Sequence, residues 1–204
     1  MKYLIVCANP NPKSFCQAIV ETLVETFTEE DKDVTVRDLY KEKFDPVLGI
    51  MDCISVSKND YQADVKKEHE YIQESAVIIL VYPIWWMGPP AIMKGYFDRI
   101  FTNGFAFMAD ENGLERGFVG KKVAIINTMG VKNEYYESKG MLDSIKNLMS
   151  TGIFEYTGLE VVGYKFYGGL SNMPEEECLK ILDDVRSFAK NLISSSTKHK
   201  VLVW

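Results

Sequence analysis

Apolar residues along this chain fall into two kinds of pattern. Residues 3–7 (YLIVC), 76–82 (AVIILVY) and 123–128 (VAIINT) are continuous uncharged runs rich in β-branched side chains. Runs of that length read as strands buried on both faces, as in a parallel sheet. Residues 34–39 (VTVRDL) alternate as a further strand, and 159–166 (LEVVGYKF) make a fifth. Between the strands the apolar spacing becomes helical. Phe15, Ala18, Ile19, Leu23 and Phe27 follow Ser14, a residue type suited to capping a helix N-terminus. Residues 60–74 and 140–150 are helical, and Met93, Tyr96, Phe97 and Ile100 follow Pro90, which fits the first position of a helix. A long last helix carries the stripe Cys178, Ile181, Leu182, Val185, Ala189, Leu192 and Ile193. Ser171 or Asn172 is its expected cap, and Glu175, Glu176 and Glu177 suit the positive end of its dipole. Residues 40–59 form an irregular excursion, longer than an ordinary connection.

Strands alternating with helices predict an α/β fold, a doubly wound five-stranded parallel sheet with helices on both faces. Right-handed crossovers give the strand order 2-1-3-4-5. Strands 1 and 3 are then neighbours whose chains leave in opposite directions. Open α/β sheets bind their ligands in that crevice. Three loops meet there: residues 8–14 (ANPNPKS), 83–89 (PIWWMGP) and 127–135 (NTMGVKNEY). The first leads into a helix N-terminus, where free N–H groups and the helix dipole favour an anion. It lacks the glycines of a dinucleotide fingerprint. The second stops a buried strand at Pro83 and then presents Trp85 and Trp86. Successive side chains diverge, so at least one indole is expected at the surface, where a flat aromatic ligand can use it.

Composition narrows the function classes. The chain has 204 residues, 47% of them hydrophobic and 25% charged, with a net charge of −6. This reads as a single globular domain spanning residues 1–204. No basic cluster stands out, so nucleic acid is not an expected partner. No run of about eighteen apolar residues exists, so no membrane insertion is expected. The first residues are too short an apolar run for a signal peptide, and a cytoplasmic location is expected. Cys7, Cys16, Cys53 and Cys178 are not spaced as zinc ligands, so no metal site is expected. Cys16 lies near a helix N-terminus, which would lower its pKa.

The segment PIWWMGPPAIMKGYFDRIFTNGFAF (residues 83–107) resembles a signature of the flavodoxin-like NAD(P)H:quinone oxidoreductases, Pro-Leu-x-Trp-Phe…Pro-Ala-Ile-Leu-Lys-Gly-Trp-x-Asp-Arg-Val-Phe…Gly-Phe-Ala-Tyr. The Asn-Pro…Ser-Phe loop and Asp38-Leu-Tyr…Phe44-Asp-Pro are weaker matches, and the resemblance runs over residues 3–192. It implies a noncovalently held flavin, FAD or alternatively FMN, with NAD(P)H as co-substrate. Asn9, Ser14, Phe15 and Cys16 fall in the family's phosphate loop. Pro83, Ile84, Trp85, Trp86 and Met87 fall in its ring-binding segment. Asn127, Thr128, Met129 and Gly130 fall in the loop along the flavin's pyrimidine edge. Trp86 and Phe107 are implied substrate-pocket walls. Tyr135 fits a family tyrosine that relays charge, while the family's partner histidine has no counterpart near Met141 or Leu142.

The implied activity is ping-pong hydride transfer from NAD(P)H through flavin to a quinone, nitro or azo acceptor. An alternative is a flavodoxin-fold regulatory subunit of a transporter or redox sensor. A homodimer is also expected, because Ile92, Met93, Tyr96, Phe97, Ile100 and Phe101 cover more of one helix than a single buried stripe requires. The apolar tail, residues 198–204, is expected to pack on another apolar surface, of which a partner subunit is one candidate.

Overall fold

The computed structural model describes residues 1–58, 60–111 and 113–197. The expected tail contact falls at residues 198–204, outside the described residues. Five parallel strands form the central sheet: β1 (Lys2–Cys7), β2 (Asp33–Asp38), β3 (Val77–Pro83), β6 (Lys122–Thr128) and β7 (Glu160–Tyr167). Their spatial order is β2-β1-β3-β6-β7, the doubly wound 2-1-3-4-5 arrangement once a small hairpin is set aside. Past the lysine that opens β1 and β6, the three central strands are uncharged because both faces are covered. Leu4 and Val6 of β1 point into one core and Tyr3, Ile5 and Cys7 into the other.

Helices α1 (Phe15–Glu29) and α7 (Glu175–Thr197) cover the second of these faces. Phe27 of α1 stacks on Tyr3 with ring centroids 4.2 Å apart. Helices α3 (Ala63–Glu74), α4 (Ala91–Ile100) and α6 (Met141–Met149) cover the first. A six-residue π-helix, Ser150–Glu155, continues α6 toward β7.

Three expectations need correction. The excursion at residues 40–59 contains a helix, α2 (Ile50–Lys58). Its pattern is inverted: Ile50, Met51 and Ile54 are exposed, whereas Asp52 and Ser55 are buried. Asp52 faces inward because Arg99 of α4 meets it there with bonds of 2.9 and 3.2 Å. Residues 107–116 hold the hairpin β4 (Phe107–Asp110) and β5 (Gly113–Arg116), whose four-residue strands are too short for periodicity to reveal. The third concerns α7, which is capped by neither Ser171 nor Asn172. Those residues lie in a 3₁₀ turn, Leu170–Asn172, and the Pro174 carbonyl accepts the first helical bonds, from the Glu177 and Cys178 amides.

The premise offered for dimerisation also changes. Ile92, Met93, Tyr96, Phe97 and Ile100 are all buried within one chain. Helix α4 is enclosed on a second side by the excursion, where Phe44 lies 5.5 Å from Tyr96 between ring centroids. Gly95 makes that approach possible: a Cβ there would sit 2.2 Å from the Pro46 carbonyl oxygen and 2.4 Å from its Cβ. Gly95→Ala gains helix propensity but drives a methyl into backbone, and a net loss of about 1–3 kcal/mol is expected. A urea midpoint that stays level or rises would show that the 44–49 segment does not seat there.

Candidate functional site

The carboxyl ends of β1, β3 and β6 converge on one cleft of about 370 Å³. Its lining includes Lys13, Ser14 and Phe15 from the first loop, Pro83, Ile84 and Trp85 from the second, and Thr128, Met129 and Gly130 from the third. The loop β7–α7 closes it with Leu170 and Ser171. Eight of the residues singled out from the sequence thus share one surface: Ser14, Phe15, Pro83, Ile84, Trp85, Thr128, Met129 and Gly130.

Short polar side chains hold the first loop. The Asn11 amide donates to Asn9 Oδ1 and the Lys13 amide to Asn11 Oδ1, each at 3.0 Å. Ser14 then caps α1, its Oγ accepting the Gln17 amide at 3.3 Å while its carbonyl accepts the Gln17 and Ala18 amides. The amides of Phe15 and Cys16 open the helix and take no carbonyl acceptor among the described residues. Such first-turn N–H groups carry the positive end of the helix dipole. Lys13, exposed beside them, adds a formal positive charge to the cleft wall. This arrangement suits a phosphate.

The second loop is a strained turn. Trp85 N–H donates to the Gly88 carbonyl at 3.0 Å and Gly88 N–H returns the bond at 3.1 Å. Between them Trp86 (φ 49°) and Met87 (φ 66°) both occupy the left-handed region. A two-residue turn of this kind favours Asn-Gly, and each bulky residue in it costs about 1–2 kcal/mol. The result of the strain is an aromatic display: Trp85 is 44% exposed on the cleft wall and Trp86 102% exposed at the turn tip. Met87, by contrast, is half-buried against the core.

Thr128 and Met129 are nearly covered, and the third loop is pinned by backbone: Ile84 N–H donates to the Thr128 carbonyl at 2.9 Å and Met129 N–H to the Tyr167 carbonyl at 2.8 Å. Asn127 lies one residue deeper. Its side chain has no exposure, and its Nδ2 donates to the Tyr82 carbonyl at 3.1 Å, so it ties β6 to β3 rather than facing the cleft. The Tyr82 hydroxyl shares that interior, where burial pushes it up to about 12.

Other singled-out residues stand elsewhere. Cys16 is buried beneath the first loop, and burial pushes its thiol up, against the lowering expected from the helix terminus. Asn9 borders a second hollow, of about 500 Å³, with Pro12, Gln17, Asp38 and Tyr40. Tyr135 is exposed on a short helix, α5 (Asn133–Glu137), with its ring against Tyr136. Phe107 lies in a separate apolar hollow of about 170 Å³ with Phe97, Phe101, Ile153 and Tyr156. His69 is buried against Phe105 and bonded to the Ile100 carbonyl at 2.9 Å. Lys13, Leu170 and Ser171 were not named as site residues from the sequence, Ser171 only as a helix cap. A lysine directly before a helix cap was a readable signal for the first, whereas the other two join the cleft only through the packing of β7 beside β6.

Comparison with known proteins agrees with this architecture. Residues 1–189 match the family described as having the flavodoxin-like fold. A Haemophilus influenzae protein called an uncharacterized NAD(P)H oxidoreductase is 35% identical over 172 residues, covering 83% of this chain and 85% of its own. The mouse ribosyldihydronicotinamide dehydrogenase [quinone] is 30% identical, with 86% and 85% covered. The solved NAD(P)H:quinone oxidoreductase of Methanothermobacter marburgensis superposes with a TM-score of 0.84 at 27% identity, over 94% of this chain and 98% of that one. With the strand order, the signature segment and the shared cleft in agreement, the chain belongs to the flavodoxin-like NAD(P)H:quinone oxidoreductase family.

Proposed function

We propose that this oxidoreductase carries hydride from NAD(P)H through a bound flavin to quinone-like acceptors, nitro and azo compounds included, with donor and acceptor using one site in turn. The observation that carries the reading is the single cleft joining a positively polarised helix N-terminus, a lysine and an exposed indole. These groups fit a flavin: phosphate toward Ser14, Phe15 and Lys13, ring toward Pro83, Ile84 and Trp85. FAD is put forward first and FMN second, since the second hollow beside Asn9 gives an adenosine half room. The flavin supplies reversible hydride chemistry when bound.

The chain's own residues supply placement. Trp85 and Trp86 offer flat apolar surface to a ring, and the Gly130 amide can donate to a carbonyl of the ring that gains negative charge. Tyr135 is the proposed proton donor or charge stabiliser, acting without a histidine.

The reading includes a homodimer. Its support is no longer α4 but the exposed apolar residues Val47, Leu48, Ile50, Met51 and Ile54 on the outer side of the excursion. Contiguous apolar surface of this kind is what a second copy covers. Phe107 would then complete an acceptor pocket across the dimer, because it does not line the cleft of its own chain.

Mass spectrometry of the cofactor released by heat, with steady-state oxidation of NADH and NADPH by a benzoquinone, tests the reading. A colourless protein that takes up neither FAD nor FMN would sink it. Trp86→Gly separates the indole from its turn. Relief of the left-handed strain is expected to raise stability by about 1 kcal/mol, while flavin retention falls or quinone KM rises. Unchanged kinetics in a stabilised variant would leave Trp86 no role in the pocket.

A further inference from the structure

Cys16 is the second residue of α1, yet its side chain turns away from the cleft. It is 1% exposed, and its Sγ lies 3.2 Å from Thr128 Oγ1 in a buried contact spanning 112 positions of sequence. Thr128 is itself 5% exposed, and its carbonyl receives the Ile84 amide at 2.9 Å. In the same loop, Asn9 Oδ1 holds the Asn11 amide at 3.0 Å. One chain of contacts therefore links the three loops that line the cleft: Cys16 from the first, Thr128 from the third, Ile84 from the second. Across the first and third loops, the thiol–hydroxyl pair is the side-chain bond in that chain.

We propose that the Cys16–Thr128 pair is a positioning contact that sets the anion-binding N-terminus of α1 against the loops at residues 83–88 and 128–130. This rests on the flavin reading above. A ligand whose phosphate sits at α1 and whose ring sits on the other two loops spans the pair, so its affinity depends on their separation. Either partner replaced by an apolar isostere leaves the other's polar atom buried and unpaired. The two groups also explain each other. A buried threonine hydroxyl needs a partner that a cysteine at this position supplies, and the thiol, held protonated by its burial, can donate. No oxidation chemistry is assigned to Cys16, since a covered thiol with a raised pKa is unreactive.

Titration with FAD and, separately, FMN tests the proposal in the wild type, Cys16→Val, Cys16→Ser and Thr128→Val, with the double variant closing the cycle. Cys16→Val and Thr128→Val should each weaken flavin binding by about tenfold, the part of one unpaired buried group's cost that the flavin-free loops relieve by loosening and the bound state cannot. The double variant should be no weaker than either single one. Cys16→Ser, which keeps a donor, should remain within about twofold of the wild type. A merely structural thiol would give the serine and valine variants the same affinity, and that result overturns the proposal.

Amide hydrogen exchange on the flavin-free chain separates this failure from failure of the flavin reading. Cys16→Val should speed exchange at residues 9–17 and at 84–88 together, with Cys16→Ser leaving both slow. Faster exchange confined to the first loop would overturn the coupling even if flavin binds, and coupled exchange in a chain that takes no flavin would keep the contact while removing its ligand.

Discussion

Replacing Arg99 with methionine is expected to cost about 3–5 kcal/mol of stability, the range for removing one partner of a buried ion pair. The guanidinium is 7% exposed and grips Asp52 with two bonds, Nη2 to Oδ1 at 2.9 Å and Nε to Oδ2 at 3.2 Å. Its Nη1 reaches the Asp45 carbonyl at 2.8 Å and Asp64 at 2.7 Å. One side chain on α4 thus holds the excursion, α2 and the start of α3. Asp64 is half exposed and adds little, whereas the Asp52 side chain is only 9% exposed and would be left charged with no cation, holding only the Gly49 amide at 2.8 Å.

The pH dependence gives a second signature. The hydrogen bonds from Arg99 hold the Asp52 carboxyl below its ordinary value. A depressed carboxylate contributes stability that is present above its unfolded value, near 4, and is lost as pH falls through the lower folded value. In Arg99→Met the remaining burial acts the other way, so acid relieves the variant. The gap between wild type and variant should therefore be largest near pH 7 and shrink below about pH 4. Urea unfolding at both pH values measures it. A pH-independent gap would mean that Arg99 acts through packing alone, for example against the Phe44 ring 5.5 Å away. Adding Asp52→Leu to Arg99→Met should restore much of the loss, because two apolar residues leave no orphaned charge.

Ser14→Asp is expected to abolish flavin binding while leaving the fold intact. Aspartate caps a helix as well as serine does, and its charge suits the N-terminal dipole, so stability should hold or rise. A phosphate approaching the same amides now meets a carboxylate. Two unit charges about 4 Å apart in a partly desolvated site repel by roughly 4 kcal/mol, which is about a thousandfold in affinity. Ser14→Ala is the companion: it removes the cap, worth about 1 kcal/mol, and adds no charge. Flavin titration and thermal unfolding of both variants decide the matter. Retained flavin affinity in Ser14→Asp would move the phosphate away from the α1 terminus, whatever else the cleft binds.

Local chemistry made much of the fold readable. Uncharged β-branched runs locate β1, β3 and β6, because a strand covered on both faces has no side on which to place a polar residue. Ser14 before an apolar stripe marks the start of α1, and the proline-bounded Trp-Trp segment marks a loop that a strand cannot continue. Strand order then brings three loops to one edge, which is why eight residues named from the sequence meet at the cleft.

Helix α2 escaped that reading because its partner is a buried arginine 47 residues away, and Arg99 turns a polar stripe inward. The same contact encloses α4, so its excess of apolar residues speaks of a second packing surface within the chain rather than of a missing subunit. Which way a side chain faces was also undecided. Cys16 and Asn127 belong to the loops that form the cleft, yet both point inward, to Thr128 and the Tyr82 carbonyl. Trp86 points outward because two left-handed residues form its turn, a backbone choice that no period in the sequence encodes. Periodicity and capping depend on neighbours a few positions apart and so belong to the sequence by itself. Side-chain direction at a loop and the partners of buried charges depend on groups brought together from distant positions, and these only the tertiary structure decided.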